Sequence, residues 1–268
     1  AEDDYGTSYY FRGAVTNNYV EFANKCWRIV RIGGDNTVKL ILHNDNISNA
    51  SNPCSSANNS TTAAFVHYDG NIYKSEFNSN YNDNAYVGFM YGTPGSTTYE
   101  ATHANTNKST ILTNLETWYN NNLKTYESKL ADTIWCNDKS TFTTYASGSA
   151  YGTGLGYGTN LTGYGAFKRV KGEGGKDDVE PSLICPNDNN GGKLSKFTVS
   201  DTTNGNGNLT YKIGLLTADE IAFAGSIAYT YNRSTYLQEN TGTTWWWSLS
   251  PNLFDGGGAR VWRVHSGY

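Results

Sequence analysis

Residues 244–264 read TWWWSLSPNLFDGGGARVWRV and contain four of the seven tryptophans of the chain. A triple glycine at 256–258 separates two apolar runs, which is the pattern of a β-hairpin with a glycine-rich turn. Side chains alternate between the two faces of a strand, so Trp245 and Trp247 share one face and Trp246 lies on the other. We expect one of these faces to pack in the core and the rest of the stretch to be available for recognition.

The second run of this stretch does not show which of its faces is buried. Apolar and basic residues are mixed from Ala259 to Val264, so each face of the strand would carry both kinds. Tryptophan and arginine together can stack, form cation–π contacts and donate forked hydrogen bonds. We therefore predict that a partner contacts the loop and second strand at five positions: Asn252, Phe254, Asp255, Arg260 and Trp262.

Composition places the chain among loop-rich proteins with many short strands. Charged residues make up 16%, aromatic residues 14%, and there are 29 glycines. Disordered chains lack so many aromatic residues, so the chain is expected to fold. The net charge of −4 is spread out, which argues against nucleic acid as a partner. No apolar run approaches the roughly 20 residues that span a bilayer, so we predict no membrane insertion in this segment.

The N-terminal residues, about 5–45, are predicted to form a β-meander. Runs at 9–15 and 19–22 flank a turn, and runs at 26–32 and 38–42 flank the Gly33–Asn36 turn. No linker divides the chain clearly. We therefore predict one domain over residues 1–268 with long insertions.

Two helices are expected within the α+β fold. Residues 111–123 carry apolar side chains at helical spacing, with Trp118 on the core face. Residues 217–225 begin with a Thr-x-x-Glu capping box and end with glycine. Asp219 and Glu220 fall in its first turn, where stabilisation of the helix dipole explains them better than a catalytic carboxylate pair.

The four cysteines are Cys26, Cys54, Cys136 and Cys185. None is close enough to another in sequence to form a CxxC metal or redox motif. An even number favours two disulfides and an extracytoplasmic location. Of the three connectivities, we favour Cys26–Cys54 with Cys136–Cys185 because these pairs close the shorter loops. Four buried free thiols remain the alternative.

Sequence motifs for catalysis are missing. The four histidines lie far apart without zinc-binding spacing, and no GxSxG nucleophile motif occurs. We predict no catalytic residue, no metal ligand and no cofactor. Loops rich in Asn and Asp at 78–84, 188–190 and 252–255 offer oxygen ligands, which leaves structural calcium as an alternative; none has EF-hand spacing.

Several phrases occur in an order that resembles a known family. They are YFRG (10–13), CWRIVR (26–31), WY (118–119) with NL (122–123), ADTIWCND (131–138), GLLTADE (214–220) and WWSLSP (246–251). This set is similar to a family of secreted or wall-attached proteins of gut Firmicutes, and it covers most of the chain. The C-terminal part of the family resembles the C-type-lectin-like fold of the formylglycine-generating-enzyme type.

The resemblance implies an α+β, C-type-lectin-like fold whose C-terminal loops bind partners. It also implies that the chain continues past a Ser-Gly like Ser266-Gly267 to a closing strand, whereas this sequence ends at Tyr268. The cysteines do not match the paired catalytic cysteines of formylglycine-generating enzymes, which argues against an oxidase. The Glu-Pro-Asn and Gln-Pro-Asp tripeptides of calcium-dependent lectins are absent.

Three functions remain open at this point. The first is a secreted or cell-surface recognition domain, similar to an adhesin in host–microbe contact, which binds a host or microbial protein or glycan. The second is a structural module of a larger surface or pilus-like protein, with the aromatic residues filling its core. The third is an enzyme acting on glycans or wall polymers, which would need two carboxylates about 5–10 Å apart in a cleft.

Overall fold

A computed structural model describes residues 1–143, 154–171, 179–188, 194–230, 234–238 and 244–265. These residues form a loop-rich protein with short helices and antiparallel sheets, which confirms the predicted α+β class. The strands are β1 (Glu2–Asp3), β2 (Gly6–Thr7), β3 (Tyr9–Tyr10), β4 (Tyr19–Phe22), β5 (Lys25–Ile32), β6 (Val38–Asn44), β7 (Met90–Tyr91), β8 (Asn107–Lys108), β9 (Trp135–Cys136), β10 (Thr141–Phe142), β11 (Thr162–Tyr164), β12 (Lys196–Phe197), β13 (Trp245–Phe254) and β14 (Ala259–His265). The α-helices are α1 (Tyr99–Thr102), α2 (Thr110–Asn122), α3 (Gly165–Lys171) and α4 (Ala218–Phe223). Short 3₁₀ turns occupy Thr61–Ala63, Phe65–His67, Asn84–Tyr86 and Lys124–Lys129.

The N-terminal sheet is centred on β5. Strand β6 pairs with one side of β5 as predicted, while β3 and β4 both pair with the other side. The predicted hairpin between residues 9–15 and 19–22 is therefore wrong. Its first strand ends early because the N–H of Gly13 bonds to the carbonyl of Ala224 at the end of α4, which takes the chain away from the sheet.

The C-terminal sheet has the strand order β10-β11-β13-β14. Its β13–β14 hairpin is the one predicted from residues 244–264. The turn is held by Asp255, whose Oδ1 accepts hydrogen bonds of 3.0 Å from the N–H groups of Gly257 and Gly258. Gly256 has a φ of 81°, a conformation that side chains other than glycine rarely adopt.

Both faces of β13 are packed, so the prediction of a single buried face is wrong. Trp246 packs against Val30, Leu216 and Val264 in a core that joins the two main sheets. Trp247, on the opposite face, packs with a second core, and its ring lies 5.9 Å from that of Phe77. The hairpin lies between two apolar clusters, and simple alternation of side chains does not exclude this arrangement.

Both predicted helices form, as α2 and α4. The side chain of Ser109 accepts a hydrogen bond from the N–H of Leu112 and so caps α2. Trp118 is 5% exposed and packs edge-on against Trp27, which confirms its place in the core. At α4, Thr217 and Glu220 form the predicted capping box.

Both favoured disulfides are confirmed. Cys26 bonds to Cys54 with a Cα–Cα distance of 5.0 Å, and Cys136 bonds to Cys185 with a distance of 5.5 Å. The first ties a polar loop to β5, and the second ties residues 179–188 to β9. Separately, no helix in the described part of the chain combines the length and apolar character needed to cross a membrane.

Candidate functional site

A groove of about 990 Å³ runs along the outer edge of β14. All seven residues of β14 line it. Residues 76–81 form one wall, and residues 226–229, which follow α4, form the other. We call this space the hairpin groove. Its volume lies in the range of ligand-binding clefts in proteins, which makes it a candidate binding site.

One wall of the hairpin groove is aromatic. Trp262 lies between Phe167 and Tyr229, with ring centroids 5.9 and 5.8 Å away. Tyr229 is 61% exposed, and its φ of 55° is a left-handed conformation that is strained for a residue with a side chain. The Nζ of Lys171 lies 4.9 Å from the Tyr229 ring centroid. This wall therefore presents an exposed aromatic side chain with a cation beside it.

The side chains lining the groove include three with a buried hydrogen-bonding atom for which no described residue is a partner. These atoms are the Nε1 of Trp262, the Oδ1 of Asn252 and the Nδ2 of Asn78. Leaving a buried polar atom unpaired costs about 1–3 kcal/mol, so such atoms are rare. By contrast, the indole N–H of Trp118 donates to Asp45 over 2.9 Å. Two donors and one acceptor beside the groove are thus unpaired, and because the atoms themselves are buried, a ligand reaches them only when the side chains move.

The groove also carries positive charge. The side chain of Arg260 is 59% exposed and pairs with Asp255. Partial burial opposes ionisation of Asp255, but Arg260 and the N–H of Gly257 hold the pKa of its carboxyl below the usual value. Arg263 lies with its guanidinium 4.9 Å from the Trp245 ring centroid, and no described carboxylate is paired with it. Arg263 is therefore the groove cation best placed to meet an acidic group of a partner.

The structure brings four of the five predicted contact residues to the groove. Asn252, Asp255, Arg260 and Trp262 line it, with Asn252 only 7% exposed. Phe254 does not line the groove; it is 1% exposed and stands opposite Thr162 of β11. Its side chain is buried in the protein interior, because both faces of β13 are packed against other parts of the chain. The other four remain predicted contact positions.

Comparison of the chain with protein-family models, with curated proteins and with solved structures finds no match. The family resemblance drawn from the sequence phrases therefore stays a prediction.

A second concavity, of about 770 Å³, lies between β6, α2 and the start of β13. We call it the aromatic cleft, because six of the seven tryptophans line it. Its polar groups are largely satisfied within the protein: Lys39 pairs with Glu220, and the indole of Trp247 donates to the carbonyl of Ser75 over 3.0 Å. The cleft is strongly apolar but offers a ligand fewer unpaired polar groups than the hairpin groove.

The two carboxylates considered for catalysis belong to ion-pair networks. Glu220 accepts from Lys39 at 2.7 Å and from Arg31 at 3.0 Å. Asp219 accepts two hydrogen bonds from Arg169, at 2.7 and 2.9 Å. The void that both line holds about 20 Å³, which is room for about one water molecule. Their arrangement explains how α4 is attached to the rest of the fold.

Lys139 is a fully enclosed titratable group. It is 0% exposed, and its Nζ donates to the Oδ1 of Asn105 over 2.9 Å and to the carbonyl of Met90. Burial lowers the pKa of Lys139 to about 7, although the charge of Asp188 opposes this. Its hydrogen bonds to Met90 of β7 and to Asn105 give it a structural role.

Metal ligands do not converge in the described residues, where no group of three or more His, Cys, Asp or Glu side chains could hold a metal ion. The Asn-rich loop at 78–84 contributes to a wall of the hairpin groove, and the carbonyl of Tyr81 in this loop accepts a hydrogen bond from the N–H of Ala259. The loop at 188–190 lies partly outside the described residues, since only Asp188 is described.

Sequence reasoning missed the walls of the groove. Tyr229, Lys171 and the loop at 76–81 come from three separate parts of the chain. The sequence signal at Tyr229 is weak, because a tyrosine among 21 does not stand out. Only the tertiary fold, which places these segments beside β14, shows that they share a site.

Proposed function

We propose that this protein is a recognition domain, secreted or displayed on a bacterial cell surface, which binds a host or microbial protein or glycan. The observation that carries the proposal is the hairpin groove, with its exposed Tyr229 and its cation Arg263. Aromatic and arginine side chains in a concave site are the usual anchors of binding interfaces. A C-type-lectin-like fold, as the sequence resemblance implies, agrees with binding through C-terminal loops.

The disulfides support the proposed location. Two disulfides account for all four cysteines, and such bonds persist in oxidising compartments. Neither a metal nor a cofactor is required by the proposed activity.

The proposal is tested by screening the oxidised protein on a glycan array and against a panel of secreted and surface proteins. We expect Tyr229→Ala and Trp262→Ala to weaken the binding found by about tenfold or more, because truncating a central aromatic anchor typically costs at least about 1–2 kcal/mol. Arg260→Ala is expected to weaken it by a smaller factor, because Asp255 already neutralises this cation.

Tyr9→Ala is the matched control, because Tyr9 is 69% exposed and does not line the groove. It should leave binding unchanged. If a ligand is bound equally well by all the variants, the proposed face is wrong. If the folded protein binds nothing in either screen, the result supports a structural module of a larger surface protein.

A further inference from the structure

The outer edge of β14 has its own hydrogen-bonding pattern. Among the described strands, β14 pairs only with β13 and so stands at the edge of its sheet. The N–H of Ala259 points away from β13, because it donates to the carbonyl of Tyr81 over 2.7 Å. At the other end, the carbonyl of His265 accepts from the Nε2 of Gln238 over 3.2 Å. Both ends of the outer edge are thus capped by other parts of the chain.

Between these ends, the N–H and C=O groups of Val261 and Arg263 also face outward. In an antiparallel strand, alternate residues direct both backbone groups to the same side, so 259, 261, 263 and 265 share one side. The register irregularities with β13 leave β14 continuous, so this alternation is kept. Opposite Val261 stands Pro251, which has no N–H to donate. Described residues make no hydrogen bond to the outward groups of Val261 and Arg263.

The hairpin groove is shaped for a chain in extended conformation. It follows β14 for seven residues, which corresponds to about 23 Å of strand. Side chains of an added strand would alternate between the two walls. On the wall of Trp262 and Tyr229 they would meet aromatic rings, and beside Arg263 they would meet a cation.

We propose that the hairpin groove binds an extended peptide segment of a partner protein, which adds to β14 as a further strand. The segment carries an apolar or aromatic side chain facing Trp262 and an acidic side chain beside Arg263. This deepens the proposed function and rests on it. A peptide is favoured over a glycan because pairs of outward N–H and C=O groups repeat every two residues along β14, and a peptide backbone matches that repeat.

The edge is protected from self-pairing by the charges beside it. No described carboxylate is paired with Arg263, and two copies of β14 that pair around this residue would bring their Arg263 side chains together, which like charge opposes. An acidic partner segment meets no such repulsion. The protein alone is therefore expected to sediment as a monomer. A dimer that Val261→Pro dissociates would overturn the proposal in favour of a second copy as the occupant.

The first test uses linear peptides of about eight residues, displayed as a library and selected on the oxidised protein. The enriched peptide is synthesised in two further forms. One carries methyl groups on the backbone nitrogens of its odd-numbered residues, and the other on those of its even-numbered residues. In strand addition, only one set of alternate N–H groups bonds to β14. We expect one form to bind at least about tenfold more weakly and the other to bind nearly as well as the parent. Equal loss in both forms, or no loss in either, overturns strand addition.

The second test changes the protein. Val261→Pro removes one outward N–H and places a ring at the edge while leaving the hydrogen bonds to β13, because proline is tolerated where the N–H faces away from the sheet. Val261→Thr is the matched control and keeps the N–H. We expect the proline variant to lose peptide affinity by about tenfold or more and the threonine variant to keep it. Urea denaturation checks that both variants fold.

These outcomes separate the two proposals. Suppose that Tyr229→Ala weakens binding of a glycan from the array, while the two methylated forms of every library peptide bind equally well. The proposed recognition function is then supported, and strand addition is wrong. If one methylated form binds much more weakly than the other, and Val261→Pro abolishes binding of the parent peptide, both proposals are supported. If peptide binding is unaffected by Val261→Pro, the outer edge of β14 is not the site.

Discussion

Replacing Glu220 by glutamine is expected to lower the free energy of unfolding by about 3 kcal/mol at neutral pH. The carboxylate of Glu220 is 3% exposed and binds both Lys39 and Arg31. Glutamine has nearly the same shape and can still accept the hydrogen bond from the N–H of Thr217, so the change removes the charge and little else. Two partly buried cations then lose their shared partner. Denaturant unfolding at pH 7 measures the difference.

The same substitution is expected to change how stability depends on pH. Burial alone would raise the pKa of Glu220, but the charges of Lys39 and Arg31 together with their hydrogen bonds bring it down to about 2 from an ordinary 4.5. A pKa that is lower in the folded state stabilises the fold above pH 4.5, and this stabilisation is lost as the pH falls toward 2. Below pH 4.5 the glutamine variant should therefore lose stability less steeply than the original protein.

His43 should make stability depend on pH in the same way in the original protein and in the Glu220 variant. Burial and the nearby Arg28 lower the pKa of His43 to about 4 from an ordinary 6.5. The unfolded chain takes up this proton first, so stability falls between pH 6.5 and 4 in both proteins.

Glu127→Gln is the control variant, because Glu127 forms an exposed pair with Lys124 and should change stability by less than about 1 kcal/mol. Parallel pH profiles for the original protein and the Glu220 variant would contradict the assigned role of Glu220.

Local sequence patterns were sufficient for the elements that depend on neighbours in the chain. The capping residue Ser109 and the spacing of Ile111 and Trp118 determine α2, and Thr217 with Glu220 determines the start of α4. The glycine turn at 256–258 produces the β13–β14 hairpin. In each case the deciding contacts lie within a few residues, so the pattern and the structure agree.

Long-range contacts explain what the sequence could not predict. The edge of β14 is capped by Tyr81, far away in the chain, and a groove wall is completed by Tyr229. Phe254 was predicted to contact a partner, but the packing of β13 on both faces buries it. The pairing of β3 with β5 rather than with β4 likewise depends on Gly13 bonding to α4. No periodicity carries this information, because it arises only when distant segments meet.

Removing the Cys136–Cys185 disulfide is expected to lower the free energy of unfolding by about 4 kcal/mol. The bond closes a loop of 49 residues, and the entropy that a cross-link removes from the unfolded chain grows with the logarithm of loop length. A double change to alanine avoids leaving one free thiol. Cys26–Cys54 spans 28 residues, so its removal is expected to cost about 0.5 kcal/mol less on the same argument.

Denaturant unfolding of the two double-alanine variants measures both values, and peptide mapping without reductant checks the pairing in the original protein. A loss below about 1 kcal/mol for the longer loop would contradict the entropic argument. The expected losses together are about 8 kcal/mol, while the whole stability of a typical protein is about 5–15 kcal/mol. The reduced chain should therefore be close to unfolded or already unfolded. Since the hairpin groove exists only in the folded protein, ligand binding is expected to require an oxidising compartment, as the proposed extracytoplasmic location provides.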